Sequence, residues 1–290
     1  GLLRERGLSR DAIALTSLRL EGDDYDHVSG LQSLAVQSFL ARNKTWFSLR
    51  NGNDQLPNAF ARRLGPRIRY GAEVVKITQS SNSVCLSYIQ GGVQDQLELD
   101  RLIVTIPFSV LRRVELDSSI SQNKRNAIST MRYESLVRVF LQCRQRFWLN
   151  EGVEGGADSD LDIGPLQDQT ATQKGSRGIV EALMEHAKAA QAHSMTHTAR
   201  LEWVLENMNK IYPGFRRHFE GGLSYSWDED PWSLGAWAYY GPGEMTRSYP
   251  HVATSEGRVH FAGEHTSALG TTLEGAVESG VRAAREVLAS

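Results

Sequence analysis

A glycine and a glutamate, Gly263 and Glu264, follow the short apolar run "RVHFA" and precede the small-residue loop "HTSALGT". Beyond that loop the apolar positions are Leu273, Ala276, Val277, Gly280, Val281, Ala284, Val287 and Leu288, a helical stripe expected to face a core. Open α/β sheets bind ligands where their strands end. A helix opening at Thr271 or Thr272 would aim free backbone N–H groups and a positive dipole end at that place. Such an arrangement suits the holding of an electron-rich or anionic group, above all a nucleotide cofactor. By periodicity alone it is equally an ordinary terminal helix on a strand. The other half of a nucleotide site is absent, because no G-x-G-x-x-G phosphate loop occurs in the 290 residues.

Other chemistry is hard to find. The eight histidines are scattered, with His265 nearest the Gly-Glu pair, and no Ser-His-Asp or paired-carboxylate constellation stands out. The two cysteines, Cys85 and Cys143, lie far apart in apolar strand-like runs and read as buried thiols, without metal-ligand spacing. A formal net charge of −2 gives no electrostatic case for nucleic acid or an anionic membrane, and no apolar stretch has the length of a membrane span.

The elements that must position the Gly-Glu pair can be read in order. "LQSLAVQSFLARN" has helical spacing, as does a weaker segment before it, and a second helix opens near Asp54 and Pro57 and closes at Gly65. "RIRYG", "AEVVKITQ", "SVCLSYIQ" and "QLELDRLIVTIP" are β-branched runs separated by turns. A helix is expected over Ser119 to Arg132, then the strand "LVRVFLQCRQRFW", whose alternation puts Arg138, Phe140 and Gln142 on one face and Val137, Val139 and Leu141 on the other. A Gly- and Asp-rich loop spans Glu151 to Gly175, and "HTARLEWVLENMNKIYPG" is a helix ended by Pro-Gly. In "GAWAYY", alternation sets Trp237 and Tyr239 against Ala238 and Tyr240; that pattern fits Trp237 as core or as site.

Taken together, these stretches resemble the flavin-containing amine oxidase family, most closely its L-amino-acid oxidases. "VHFAGEHTS" with "EGAVESGVRAAREVL" is similar to the family's C-terminal FAD motif. "NGNDQLPNAFARRL", "AEVVKI", "RLIVTIPFSVLRRVEL" and "SYSWDEDPWSLGAWAYYGPGE" resemble four further family segments in the same order. The resemblance implies an α/β (α+β) fold: a Rossmann-like FAD-binding domain of the glutathione-reductase type, an interleaved substrate-binding sheet domain and a helical segment. It divides the chain into a helical segment 1–45, FAD-binding segments 46–132 and 251–290, and a substrate-binding segment 133–250. It also implies that the phosphate loop, its ribose-binding acid and an arginine clamping a substrate carboxylate lie upstream of this chain. A partner is therefore expected: an N-terminal polypeptide of the same enzyme, the assembled unit forming a homo-oligomer.

The resemblance assigns roles by position. Glu264 would hydrogen-bond the ribityl or pyrophosphate region of FAD, with Gly263 allowing close approach. The Thr272 and Leu273 backbone would face the flavin pyrimidine edge, and the Val74 backbone would contact adenine. Trp227 would lie against the ring, although a generic core aromatic fits it too, and Trp237 would form one wall of an aromatic substrate cage. Three positions depart from the family. Arg138 replaces a lysine that is water-bridged to flavin N5, and arginine cannot serve as a lysine-like base. Thr272 replaces the second cage aromatic, and Leu183 a tyrosine common in L-amino-acid oxidases. The implied activity is oxidation of an L-amino acid by FAD and O2 to a 2-oxo acid, ammonia and hydrogen peroxide, with hydride transfer to N5. The alternatives are oxidation of another amine, or a flavin-free scaffold subunit.

Overall fold

The computed structural model describes residues 2–13, 27–42, 47, 49 and 52–290. The weaker helical segment expected before Leu31 lies largely outside the described residues. The chain forms two compact units, one of Gly1–Val28 with Arg132–Ala238, the other of Ser29–Met131 with Tyr239–Ser290. The strands used below are β1 (Ala72–Gln79), β2 (Val84–Gln90), β3 (Val93–Leu99), β4 (Leu102–Val104), β5 (Glu115–Leu116), β6 (Leu136–Cys143), β7 (Leu166–Asp168), β8 (Gly178–Glu185), β9 (Phe219–Ser226) and β10 (Val259–Phe261). The helices are α1 (Gly30–Arg42), α2 (Gln55–Leu64), α3 (Gln122–Thr130), α4 (His186–His193), α5 (His197–Ile211), α6 (Glu244–Val252) and α7 (Leu273–Ala289).

The second unit carries a sheet in the order β3-β2-β1-β5 and, separately, the parallel pair of β10 and β4. A Ser80–Ser83 turn joins β1 to β2, and Gly91-Gly92, at φ 58° and 79°, makes the two-residue turn into β3. Two positive φ angles in succession match the twist of a hairpin, and glycine adopts them without a Cβ clash. Three sequence expectations are corrected here. "RIRYG" is no strand: its start belongs to a 3-10 turn, Gly65–Arg67, and Gly71 takes φ 68°. "QLELDRLIVTIP" breaks at Asp100, so β3 and β4 belong to different sheets. The helix expected over Ser119 to Arg132 is the shorter α3, because the Ser121 hydroxyl caps it by accepting from the Lys124 N–H.

The first unit is built on a sheet in the order β9-β6-β8-β7, antiparallel throughout. The alternation of β6 is observed: Leu136 aside, its odd positions are buried and its even ones half-buried. Val137, Val139 and Leu141 pack with Val180, Ala182 and Met184 of β8, with Val204, Leu205 and Met208 of α5, and with Trp148. The expected strand through Trp148 stops at Cys143, and a 3-10 turn at Phe147–Glu151 turns the indole inward, its Nε1 donating to Asp168 Oδ2 at 3.1 Å. Burial in this core pushes the Cys143 thiol up to about 12. Cys85 is only half-buried, which corrects its reading as a core thiol.

Candidate functional site

In the second unit Gly263 lies two residues past the end of the short parallel strand β10 and takes φ 126° and ψ 160°. A Cβ there would stand 2.3 Å from the Cε1 atom of the His265 ring, so glycine is required by its own neighbour. The Gly263 N–H donates to the Ser279 hydroxyl at 2.9 Å, tying the strand end to α7. Glu264 opens a 3-10 turn, and its Oε2 accepts from the Thr271 N–H at 2.9 Å. Thr271 has φ 70°, a left-handed conformation that β-branched residues rarely take. Strain held in this way marks a functional position more often than an idle one. Thr272 caps α7, its Oγ1 accepting from the Gly275 N–H and its carbonyl from the Ala276 N–H. Among the described residues, the backbone N–H groups of Leu273 and Glu274 keep no partner, leaving two donors at the positive end of a 17-residue helix. Val74 lies in the other sheet of this unit, where the β1–β2 register shifts between Val74 and Lys76.

The α7 stripe is the largest correction. Expected to face a core, it is exposed: Leu273 57%, Val277 44%, Val281 46% and Leu288 87%. The buried face is instead Gly275, Ser279 and Ala283. Small side chains one turn apart let the helix backbone come close, and a Cβ on Gly275 would stand 2.3 Å from the Leu269 carbonyl oxygen. The amphipathic pattern is real, but among the described residues it is the small side chains that pack and the large apolar ones that stay exposed.

Beside this site lies a buried group that sequence reasoning did not find. Lys124 is fully buried, its Nζ donating to the Val252 carbonyl at 2.8 Å and standing 3.9 Å from the Phe261 ring centroid. Burial, reinforced by the Arg282 charge and only partly opposed by the Glu256 and Glu286 carboxylates, pushes the ammonium down to about 7. His265 is buried too, its ring centroid 4.5 Å from that of Phe108. Burial first, and the nearby Lys124 charge second, push it down to about 3. Neutral at ordinary pH, His265 packs as a flat ring under Gly263.

In the first unit, Arg138 on β6 stands opposite Leu183 of β8 and Tyr225 of β9. Its guanidinium carbon lies 5.6 Å from the Trp227 ring centroid, and Trp227 meets Tyr225 edge-on at 4.6 Å. Arg138 Nε is 2.9 Å from Oε1 of Glu181, although the N–H is not aligned for a hydrogen bond with it. Glu181 is a buried carboxylate in the apolar run "GIVEALM", where an acid amid core residues was itself a signal. Burial raises its carboxyl above the ordinary range, opposed by Arg138 and by the hydrogen bond from Gln169. The structure thus groups Arg138, Leu183 and Trp227. Trp237 is half-buried, its carbonyl accepting from the Glu134 N–H at 2.9 Å.

The family model for flavin-containing amine oxidoreductases matches residues 7–288. The chain belongs to that family. YobN of Bacillus subtilis (strain 168), whose name assigns it provisionally to the L-amino-acid oxidases, is 32% identical over 96% of this chain and 60% of its own length. The flavin-dependent L-tryptophan oxidase RebO of Lentzea aerocolonigenes is 32% identical over 82% of this chain and 52% of its own. The chain thus spans little more than half the length of these relatives. Among solved structures, cyclohexylamine oxidase from Brevibacterium oxydans IH-35A aligns with a TM-score of 0.83 at 17% identity, over 99% of this chain and 66% of that one. A redesigned putrescine oxidase aligns with 0.73 at 20% identity, over 82% of this chain and 53% of that one. The fold is accordingly the mixed helix-and-sheet fold of the flavin amine oxidases, and FAD is the cofactor expected of this oxidoreductase family. The residues present fit it: a glycine just past a parallel strand, a carboxylate and two open helix N–H donors lie together, groups of the kind that would hold a flavin nucleotide.

Proposed function

We propose that this chain is part of an FAD-dependent L-amino-acid oxidase, converting an L-amino acid to a 2-oxo acid, ammonia and hydrogen peroxide. The observation that carries this reading is the Glu264–Thr271 hydrogen bond, which holds a strained residue so that α7 presents open N–H groups beside the end of a parallel strand. The names of YobN and RebO support the amino-acid substrate. FAD, when bound, supplies the two-electron acceptor, and the protein's task is to bind, orient and exclude water. Within this reading segments 46–132 and 251–290 hold FAD through the Glu264 side chain and the backbone of Val74, Gly263, Thr272 and Leu273. Segment 133–250 meets the substrate through Trp237 and Leu183 and lays Trp227 against the flavin ring, with Arg138 as the cation beside the reacting centre and Thr272 opening one wall. An N-terminal polypeptide carrying the phosphate loop completes the FAD site and covers the exposed α7 stripe, and the assembled unit forms a homo-oligomer.

Glu264→Ala removes a charged hydrogen-bond acceptor, worth about 1.5–3 kcal/mol, so flavin affinity of the assembled enzyme should fall roughly ten- to a hundredfold. Unchanged affinity would remove Glu264 from the site. The activity is tested by aerobic turnover of the assembled enzyme with L-amino acids. Ammonia and peroxide should form in equal amounts; ammonia without peroxide would exclude an oxidase.

A further inference from the structure

Lys124 is buried near the Gly263–Glu264 turn with little of the company that a charge inside a protein needs. Among the described residues its Nζ meets one carbonyl, that of Val252 at the end of α6, and the ring face of Phe261, the last residue of β10. The charged groups that act on it are Glu256, Arg282 and Glu286, and the neutral His265 ring is near enough to feel its charge. Both carboxylates are engaged elsewhere. Glu256 accepts from the Ser121 N–H and hydroxyl at 3.0 and 2.7 Å, and Glu286 takes Arg282 at 2.8 Å and His260 at 3.2 Å. On α3 itself, Arg125 turns to the carbonyls of Leu116, Asp117 and Ile120.

The ring that Lys124 holds leads directly into the candidate flavin site. The Phe261 carbonyl is gripped as well, accepting from Arg282 at 3.0 Å, and Gly263 follows two residues on. The Phe261 ring meets Phe108 edge-on at 6.3 Å, and Phe108 backs the His265 ring that lies against Gly263. An ammonium over a desolvated ring is held more strongly than a neutral amine, so the proton on Nζ sets how firmly this stack is fixed. The charge itself does not help the fold, because an apolar side chain of similar length would fill the space without a desolvation penalty. A destabilising group of this kind is kept where function uses it. The dinucleotide expected beside the turn carries a negative pyrophosphate, and a cation in a low-dielectric surround gains most from such a charge.

We propose that Lys124 is the buried cation of the flavin site, a positioning residue that as an ammonium fixes Phe261 and the Gly263–Glu264 turn for the dinucleotide. This rests on reading that turn as the flavin-holding end of the unit. Flavin binding and protonation of Lys124 are then linked: affinity is highest below about pH 7 and falls as the pH rises and the free protein loses the proton. Stability of the flavin-free protein runs the other way. The unfolded chain keeps the proton up to 10.5 and the folded chain sheds it at about 7, so the destabilisation is full below 7 and is relieved toward 10.5.

The test titrates FAD into the flavin-free full-length enzyme and follows the quenching of flavin fluorescence. Wild type should bind roughly tenfold more weakly at about pH 9 than at about pH 6. Lys124→Met should bind roughly tenfold more weakly than wild type at the low end, with a flatter profile. Its urea unfolding should show no loss of stability near neutral pH, which separates weak binding from failed folding. Lys124→Gln, polar but uncharged, should behave like Lys124→Met. Calorimetry in buffers of different ionisation heat should show wild type taking up a proton on binding FAD above pH 7, a readout that needs no variant. Equal affinities and parallel pH profiles in wild type and Lys124→Met overturn the proposal, as does wild-type affinity in Lys124→Gln or binding without proton uptake in wild type. Glu264→Ala is titrated alongside. Weakened binding there with Lys124→Met unaffected refutes this inference alone; the reverse refutes the role of Glu264 and leaves the buried cation standing.

Discussion

Gly263→Ala should cost the protein on the order of 3–4 kcal/mol and most of its bound flavin. Two terms add. The conformation at φ 126° and ψ 160° belongs almost solely to glycine, and a side chain there is strained by roughly 1–3 kcal/mol. The added methyl would also stand 2.3 Å from His265 Cε1 and 2.6 Å from its Nδ1. That ring cannot swing aside, because it is buried against Phe108. Relief has to come from the backbone, and the Gly263–Ser279 hydrogen bond that ties β10 to α7 is the first contact to give. Urea unfolding of the assembled enzyme reads the effect. A loss below about 1 kcal/mol would mean that the strand end relaxes freely and that the glycine is not structurally imposed.

Acid should destabilise the protein through the same ring. The folded state holds His265 at about 3, against 6.5 for an ordinary histidine, because the buried imidazole cannot be charged there. Above pH 6.5 the ring is neutral in both states and its contribution is fully present. Between 6.5 and about 3 the unfolded chain takes a proton that the folded chain refuses, so stability falls with pH through that window. The loss at about pH 4 is on the order of 3 kcal/mol from this group. His265→Gln removes the titration, so unfolding measured at both ends of the window should show a flatter pH dependence than wild type. Parallel curves would mean that the ring takes up its proton in the folded state.

The sequence made the sheets legible where local chemistry and tertiary context agree. The alternation in "LVRVFLQC" needs no partner to be read, and Gly91-Gly92 marks its turn by itself. The grouping of Gly263, Glu264 and Thr272 at one helix end was likewise visible, since strand, glycine and cap are consecutive signals. Features that depend on distant residues were not. Helix α6 contains Pro250, which punctuation rules read as a stop, and follows a Gly-Pro-Gly turn. The burial of Lys124 depends on Val252 and Phe261, more than a hundred positions away. The α7 stripe misled for a different reason. Periodicity reports that a face is apolar without saying what packs on it, and among the described residues the small face packs internally while the large one stays exposed.

The most direct measurement is anaerobic mixing of the assembled, FAD-loaded enzyme with L-amino acids, followed by the visible flavin absorption. The oxidised band should bleach with at least one L-amino acid, not with its D-enantiomer or the matching decarboxylated amine, and return on admitting air. Bleaching by the decarboxylated amine while every L-amino acid leaves the band intact would contradict the assignment to L-amino-acid oxidation.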